Sequence, residues 1–187
     1  MGEQTRATLM ETETRESPAV AARLVASATP RLRKLAEQLR VLSPRYALAA
    51  GRGSSDAAAL LAKYLFEAKL GLPTVSAAPS IRSIYGRQLT IEKALVLAIS
   101  QSGRSPDLVE FCRSATGRDV LRVGLINDAA SPLAGVMDVV LPLEAGPERS
   151  VAATKSCIAA MTLVLGVAAH WRNDPTMIEA FERAPDV

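Results

Sequence analysis

Histidine is almost missing from this chain, with His170 the single one among 187 residues. That excludes a two-histidine metal site and leaves a serine–histidine pair only His170 to use. Beside Trp171 in a late apolar segment, His170 is placed for a structural or solvent-facing role. Cysteine is nearly as scarce: Cys112 and Cys157 lie in apolar helical contexts without metal or redox spacing, so both are expected as reduced core thiols. Aromatics make up 4% of the chain against 49% hydrophobic residues, so the core must be built from Ala, Val, Leu and Ile. Helices packed on a sheet suit that supply better than a small aromatic-rich barrel. No apolar run reaches the length of a membrane span, and Met1-Gly2-Glu3-Gln4-Thr5-Arg6 has no apolar signal core, which predicts the cytoplasm and no membrane partner. The net charge of +3 is small and its arginines are scattered, which argues against a nucleic-acid surface.

What the chain does have is a serine-rich turn between two apolar segments. Ala94–Ile99 has the length and branching of a buried parallel strand, and Leu108–Cys112 reads as a helix. Between them lies Ser100-Gln101-Ser102-Gly103-Arg104-Ser105-Pro106. Pro106 suits a first helical turn and Ser105 an N-cap, so unpaired amides and the positive end of a helix dipole would face an anion there. Hydroxyls at Ser100, Ser102 and Ser105, with Gly103 allowing a tight backbone, would line a phosphate cradle; an ordinary polar turn is the plainer alternative.

Further strands are expected at 46–50, 74–78, 119–126 and 138–143, with helical segments between them. The spacing implies right-handed crossovers, and so a three-layer αβα sandwich on a five-stranded parallel sheet, of flavodoxin-like architecture with extra N-terminal helices. Residues 1–44 read as a helical arm packed on the domain, 45–172 as the domain itself, and 173–187 as a tail or a linker to a second domain. In the arm, residues 5–16 form an exposed helix docking only by Leu9 and Met10, and two more helices meet near Thr29, interrupted by Pro30. Gly51-Arg52-Gly53-Ser54-Ser55-Asp56 is a second strand-to-helix turn; it is a weak dinucleotide signal because Asp56 fills the third glycine position, whereas Ser54 and Ser55 offer hydroxyls as caps or ligand contacts. Glu148-Arg149-Ser150 leads into a long apolar helix read from 151 to 172. Three helix starts, at 54, 105 and 151, then share the carboxyl edge of the sheet, where doubly wound folds bind ligands.

Gly53-Ser54-Ser55, Ser100-Gln101-Ser102-Gly103 with Ser105, and Glu148-Arg149-Ser150-Val151-Ala152-Ala153-Thr154-Lys155 resemble, in order and spacing, the three sugar-phosphate motifs of the sugar isomerase (SIS) domain. The likeness is to the isomerase half of glutamine-fructose-6-phosphate aminotransferases and to glucosamine-6-phosphate deaminases, and runs from about 18 to 172. It implies that Ser100, Gln101, Ser102 and Ser105 hold the phosphate, and that Ser54, Ser55 and the backbone at Val151 contact the sugar. Ala153 stands where the aminotransferases usually carry a serine, which removes a hydroxyl and moves the reading toward the deaminases. The resemblance implies an aldose–ketose isomerase or deaminase acting on glucosamine 6-phosphate or fructose 6-phosphate, with no cofactor and no metal. Family enzymes draw a ring-opening histidine and a proton-shuttling glutamate from a second SIS domain, so pairing with such a domain, or homo-oligomerisation, is expected. The alternative is a non-catalytic sugar-phosphate sensor; a flavodoxin-like cofactor binder is disfavoured by the lack of aromatics around the serine loop. Of the chain's own carboxylates Glu148 is the candidate base, with a solvated loop charge as the other reading.

Overall fold

Ala94–Ser100 is buried along its whole length and forms β3, the middle strand of the sheet. Its side chains alternate between two cores. Leu95, Leu97 and Ile99 join one cluster, while Ala94, Val96 and Ala98 join the other, so helices must cover both faces. In the computed structural model, which describes residues 7–186, β1 (Tyr46–Ala50), β2 (Thr74–Ser76), β4 (Val120–Ile126) and β5 (Val139–Pro142) complete a parallel sheet of order β2-β1-β3-β4-β5. The expected five-stranded αβα sandwich is the observed fold. In this order the chain leaves β1 toward one edge and β3 toward the other, so the loops after β1 and β3 diverge and open a crevice at the carboxyl ends.

Helices α2 (Ser17–Leu42), α3 (Ser54–Leu65), α6 (Lys155–Arg172) and α7 (Pro175–Glu182) belong to the larger core, and α5 (Pro106–Ser114) to the other. A short α1 (Leu9–Arg15) precedes α2, and a one-turn α4 (Ser80–Ser83) precedes β3. Several expectations about the helices are corrected. The two helices expected to meet near Thr29 are one helix of 26 residues with Pro30 inside it. An interior proline costs about 3 kcal/mol, yet Leu24, Leu32, Leu35 and Leu39 form one buried stripe across it, and burying each leucine contributes about 1.5–3 kcal/mol. The stripe outweighs the break.

In α1, Leu9 and Met10 are 60% and 47% exposed, and the buried residue is Glu13. Residues 1–6 of the expected arm, and with them the first two residues of its expected 5–16 helix, lie outside the described residues. Helix α6 starts at Lys155 rather than at 151. Most of its apolar circumference is covered within the chain by α2, α3 and α7, while Ile158 stays 42% exposed. Beyond 172, where a tail or linker is expected, Asp174 caps α7 and Phe181 is fully buried against the core. Among the described residues no helix is long and apolar enough to cross a membrane.

Candidate functional site

Where β1 and β3 part, a cleft of about 410 Å³ is lined by Arg52–Ser55, by Ser100, Gln101, Ser102 and Ser105, and by Val151–Ala153. All seven residues expected to bind ligand, Ser54, Ser55, Ser100, Gln101, Ser102, Ser105 and Val151, border this one space. They come from three loops that end at the starts of α3, α5 and α6.

The local backbone explains the convergence. Gly53 sits at φ 58, ψ −131, a region closed to residues with a Cβ, and lets the chain turn from β1 into α3. Gly103 sits at φ 63, and a Cβ there would lie 2.0 Å from Ser131 Oγ, so the serine loop packs backbone against the loop after β4. Ser100 is buried, and its Oγ accepts the Gly103 N–H at 2.9 Å; Ser102 Oγ accepts the Arg104 N–H at 3.3 Å. Both hydroxyls keep their own hydrogen to donate. Ser105 holds the N-cap position of α5 in an extended conformation but makes no side-chain cap bond. The side chains of Ser54, Ser55, Gln101 and Ser105 make no hydrogen bond among the described residues, nor do the N–H groups of Val151, Ala152 and Ala153. The cleft thus offers unspent donors at three helix starts, which is what an acceptor-rich anion requires.

Arg52, which the motif reading passes over, also lines the cleft. Its Nε donates to Asp107 Oδ2 at 2.7 Å, tying the β1–α3 loop to the first turn of α5. On the next loop Arg104 pairs with Asp128 at 2.8 Å. The β5–α6 loop is held by Asn127, whose Oδ1 accepts the Ala145 N–H at 3.0 Å and whose Nδ2 donates to Gly146 O at 2.8 Å.

Glu148 does not line the cleft. Its Oε1 accepts the N–H of Thr154 at 2.8 Å and of Ser156 at 3.3 Å, and its Oε2 accepts the Ser156 hydroxyl, so the carboxylate caps the start of α6. His170 is buried, with Nδ1 on Gly166 O at 2.9 Å and its ring edge-on to Phe181. From the observed helix start at Lys155 it is roughly 22 Å away along the axis, rather than the roughly 28 Å that a start at 151 implies. Burial pushes the Cys112 thiol up to about 12. The Cys157 thiol is raised by burial and by the nearby Glu148 charge, and donates to Ser54 O at 3.5 Å. Neither is a thiolate at neutral pH. Among the described residues no group of three or more His, Cys, Asp or Glu is placed to hold a metal ion.

A glutamate outside the motifs reaches the same loop. Glu13 of α1 accepts the Arg149 N–H at 2.6 Å, the Ser150 N–H at 3.1 Å and the Ser150 hydroxyl. The Ser150 hydroxyl and the Arg149 N–H hold its carboxyl below the usual carboxylate range. No local signal in the Thr-Glu-Arg pattern of residues 11–16 separates it from a solvated charge.

The family model of the SIS domain matches residues 43–169. Over 135 residues the chain is 34% identical to the glutamine–fructose-6-phosphate aminotransferase [isomerizing] of Methanothermobacter thermautotrophicus, covering 72% of this chain and 22% of that protein. The chain therefore spans about a fifth of the length of such curated relatives. A solved structure from Silicibacter pomeroyi DSS-3, assigned as a phosphosugar isomerase, superposes with a TM-score of 0.91 at 39% identity over 96% of this chain and 55% of that one. The C-terminal domain of glucosamine-fructose-6-phosphate aminotransferase from Francisella tularensis gives a TM-score of 0.77 at 21% identity over 100% of this chain and 55% of that one, a likeness of fold.

Proposed function

The chain is a member of the SIS domain family, and we propose on that footing that its cleft is the sugar-phosphate site of an aminosugar-phosphate isomerase or deaminase, with glucosamine 6-phosphate or fructose 6-phosphate as ligand. The observation that carries this reading is the gathering of unspent hydroxyl and amide donors from three loops around one cleft. A phosphate dianion presents only acceptors, so it pairs with serine O–H, glutamine N–H and helix-start N–H groups without competing with their existing bonds. In this assignment Ser100, Gln101, Ser102 and Ser105 hold the phosphate, while Ser54, Ser55 and the backbone at Val151 contact the sugar. The compartment that fits is the cytoplasm.

Isomerisation between C1 and C2 needs a base poised near neutrality beside those carbons. Glu148 has both oxygens engaged at the start of α6, and His170 is packed in the core. The described residues therefore supply a clamp for the substrate, and Glu148 acts by holding the third loop in place. Binding without turnover by these 187 residues is the expected behaviour. The test is one preparation in two assays. Calorimetric titration should show glucosamine 6-phosphate binding and glucosamine, which lacks the phosphate, failing to bind; a coupled assay for ammonia and fructose 6-phosphate should show no more than trace turnover. Equal affinity for both sugars would remove phosphate recognition from the cleft, and vigorous turnover would show a free base that this assignment denies.

A further inference from the structure

We propose that Glu13 and Glu16, at the corner between α1 and α2, are positioning residues that latch the β5–α6 loop, so that ligand affinity at the cleft depends on the N-terminal helix. The proposal rests on the sugar-phosphate reading of the cleft and adds to it a control point in a different part of the chain. Glu13 takes hold of the loop at Arg149 and Ser150 through both carboxylate oxygens. Glu16 takes hold of its far end, where its Oε2 lies 2.6 Å from the Nζ of Lys155, a lysine buried in the first turn of α6. Between these two grips lie Val151, Ala152 and Ala153, the third wall of the cleft, whose N–H groups have no partner among the described residues.

The chemistry of each grip is specific. A lysine at a helix N-terminus faces the positive end of the dipole, and a buried ammonium needs a counter-charge; Glu16 supplies it. A seven-residue helix is too short to stand alone, and α1 exposes its apolar residues Leu9 and Met10. What ties α1 to the domain is therefore its one buried residue, Glu13, with its three donors on the loop. Helix and loop hold each other. Release of the Glu13 grip leaves the Arg149 and Ser150 N–H groups without their acceptor and removes the tie of the wall at 151–153 to α1, the rest of the loop staying held by Asn127 on the β5 side and by Glu148 at the start of α6.

The test compares the wild-type chain with Glu13→Ala, Glu13→Gln, Glu16→Gln and, as control, Glu11→Gln, whose carboxylate only pairs with exposed Arg15. Amide exchange followed by NMR without ligand reads the latch, thermal melting checks that each variant is folded, and calorimetry with glucosamine 6-phosphate reads the coupling. In Glu13→Ala, exchange at Arg149 and Ser150 should accelerate by about tenfold or more, and Kd should weaken by about tenfold, the size expected for losing a charge-assisted hydrogen bond. Glu13→Gln, which keeps one acceptor oxygen, should fall between Glu13→Ala and wild type, and Glu11→Gln should match wild type. Unchanged exchange at 149–150 in a folded Glu13→Ala protein would overturn the latch, and faster exchange with unchanged Kd would overturn its coupling to the cleft. A wild-type chain that binds no sugar phosphate would overturn the ligand reading and with it the coupling, while the exchange measurement still decides the latch. Should Glu13→Ala fail to fold, Glu13→Gln and Glu16→Gln carry the same readouts.

Discussion

Gly103 is the residue on which the serine loop turns, because its φ of 63 and its contact with Ser131 allow no side chain. Gly103→Ala should cost about 1–3 kcal/mol from overpacking, with a further ~1–2 kcal/mol for the left-handed backbone. A lower Tm accompanied by weaker glucosamine 6-phosphate binding is the expected result. An unchanged Tm would mean that the loop can move off Ser131 at no cost. The acid limb of stability should report a second residue, Asp138, which accepts from Arg122 through its Nε at 3.1 Å, its Nη2 at 2.7 Å and its backbone N–H at 2.8 Å. These bonds hold its carboxyl below the usual range. A depressed folded pKa gives stability that is whole above the unfolded value of about 3.9 and fades as pH falls through the folded value. The Tm gap between wild type and Asp138→Asn should therefore be present at pH 6 and close toward pH 2; a gap independent of pH would exclude the carboxylate charge as its source. The serines of the cleft were legible because three serine-bearing turns recur at strand-to-helix junctions in the order and spacing of the SIS motifs, whereas any one of them alone reads equally as an ordinary polar turn. Glu13 was not, because its partners lie 136 and 137 residues away and nothing local distinguishes it from its solvated neighbours.

At the scale of elements, α2 shows why a local rule misplaces a boundary. Pro30 breaks the hydrogen-bond ladder, and a reading of propensity ends the helix there. The leucine stripe from Leu24 to Leu39 runs on through the break because α2 spans the face of the sheet that α6 also covers. Pro30 is exposed, so Pro30→Ala should stabilise the chain by about 1–3 kcal/mol, less than or equal to the cost of proline in a helix interior. Thermal melting should show a rise of at least about 3 °C. A fall would mean that the ring itself packs. The start of α6 was misread by four residues for a related reason: Val151–Ala153 look helical by composition, yet Glu148 and Glu13 hold the loop short of the helix.

For the whole molecule, the strand order sets where the cleft lies. Alternating strands and helices in the sequence were enough to expect a parallel, doubly covered sheet, and its order β2-β1-β3-β4-β5 opens the crevice between the β1 and β3 loops. Three helix starts then face one cleft of about 410 Å³. The sequence could place serines on those starts, but not the arginine and glutamate bonds that tie the loops together, because such bonds join residues far apart in the chain. The proposed phosphate recognition by the serine loop is tested by calorimetric titration of Ser102→Asp with glucosamine 6-phosphate, beside the wild-type chain. A carboxylate at position 102 puts like charge against the phosphate in a partly desolvated cleft. The expected result is binding by the wild type and no detectable binding by a variant that melts cooperatively near the wild-type temperature. Equal affinity in the two proteins would contradict it.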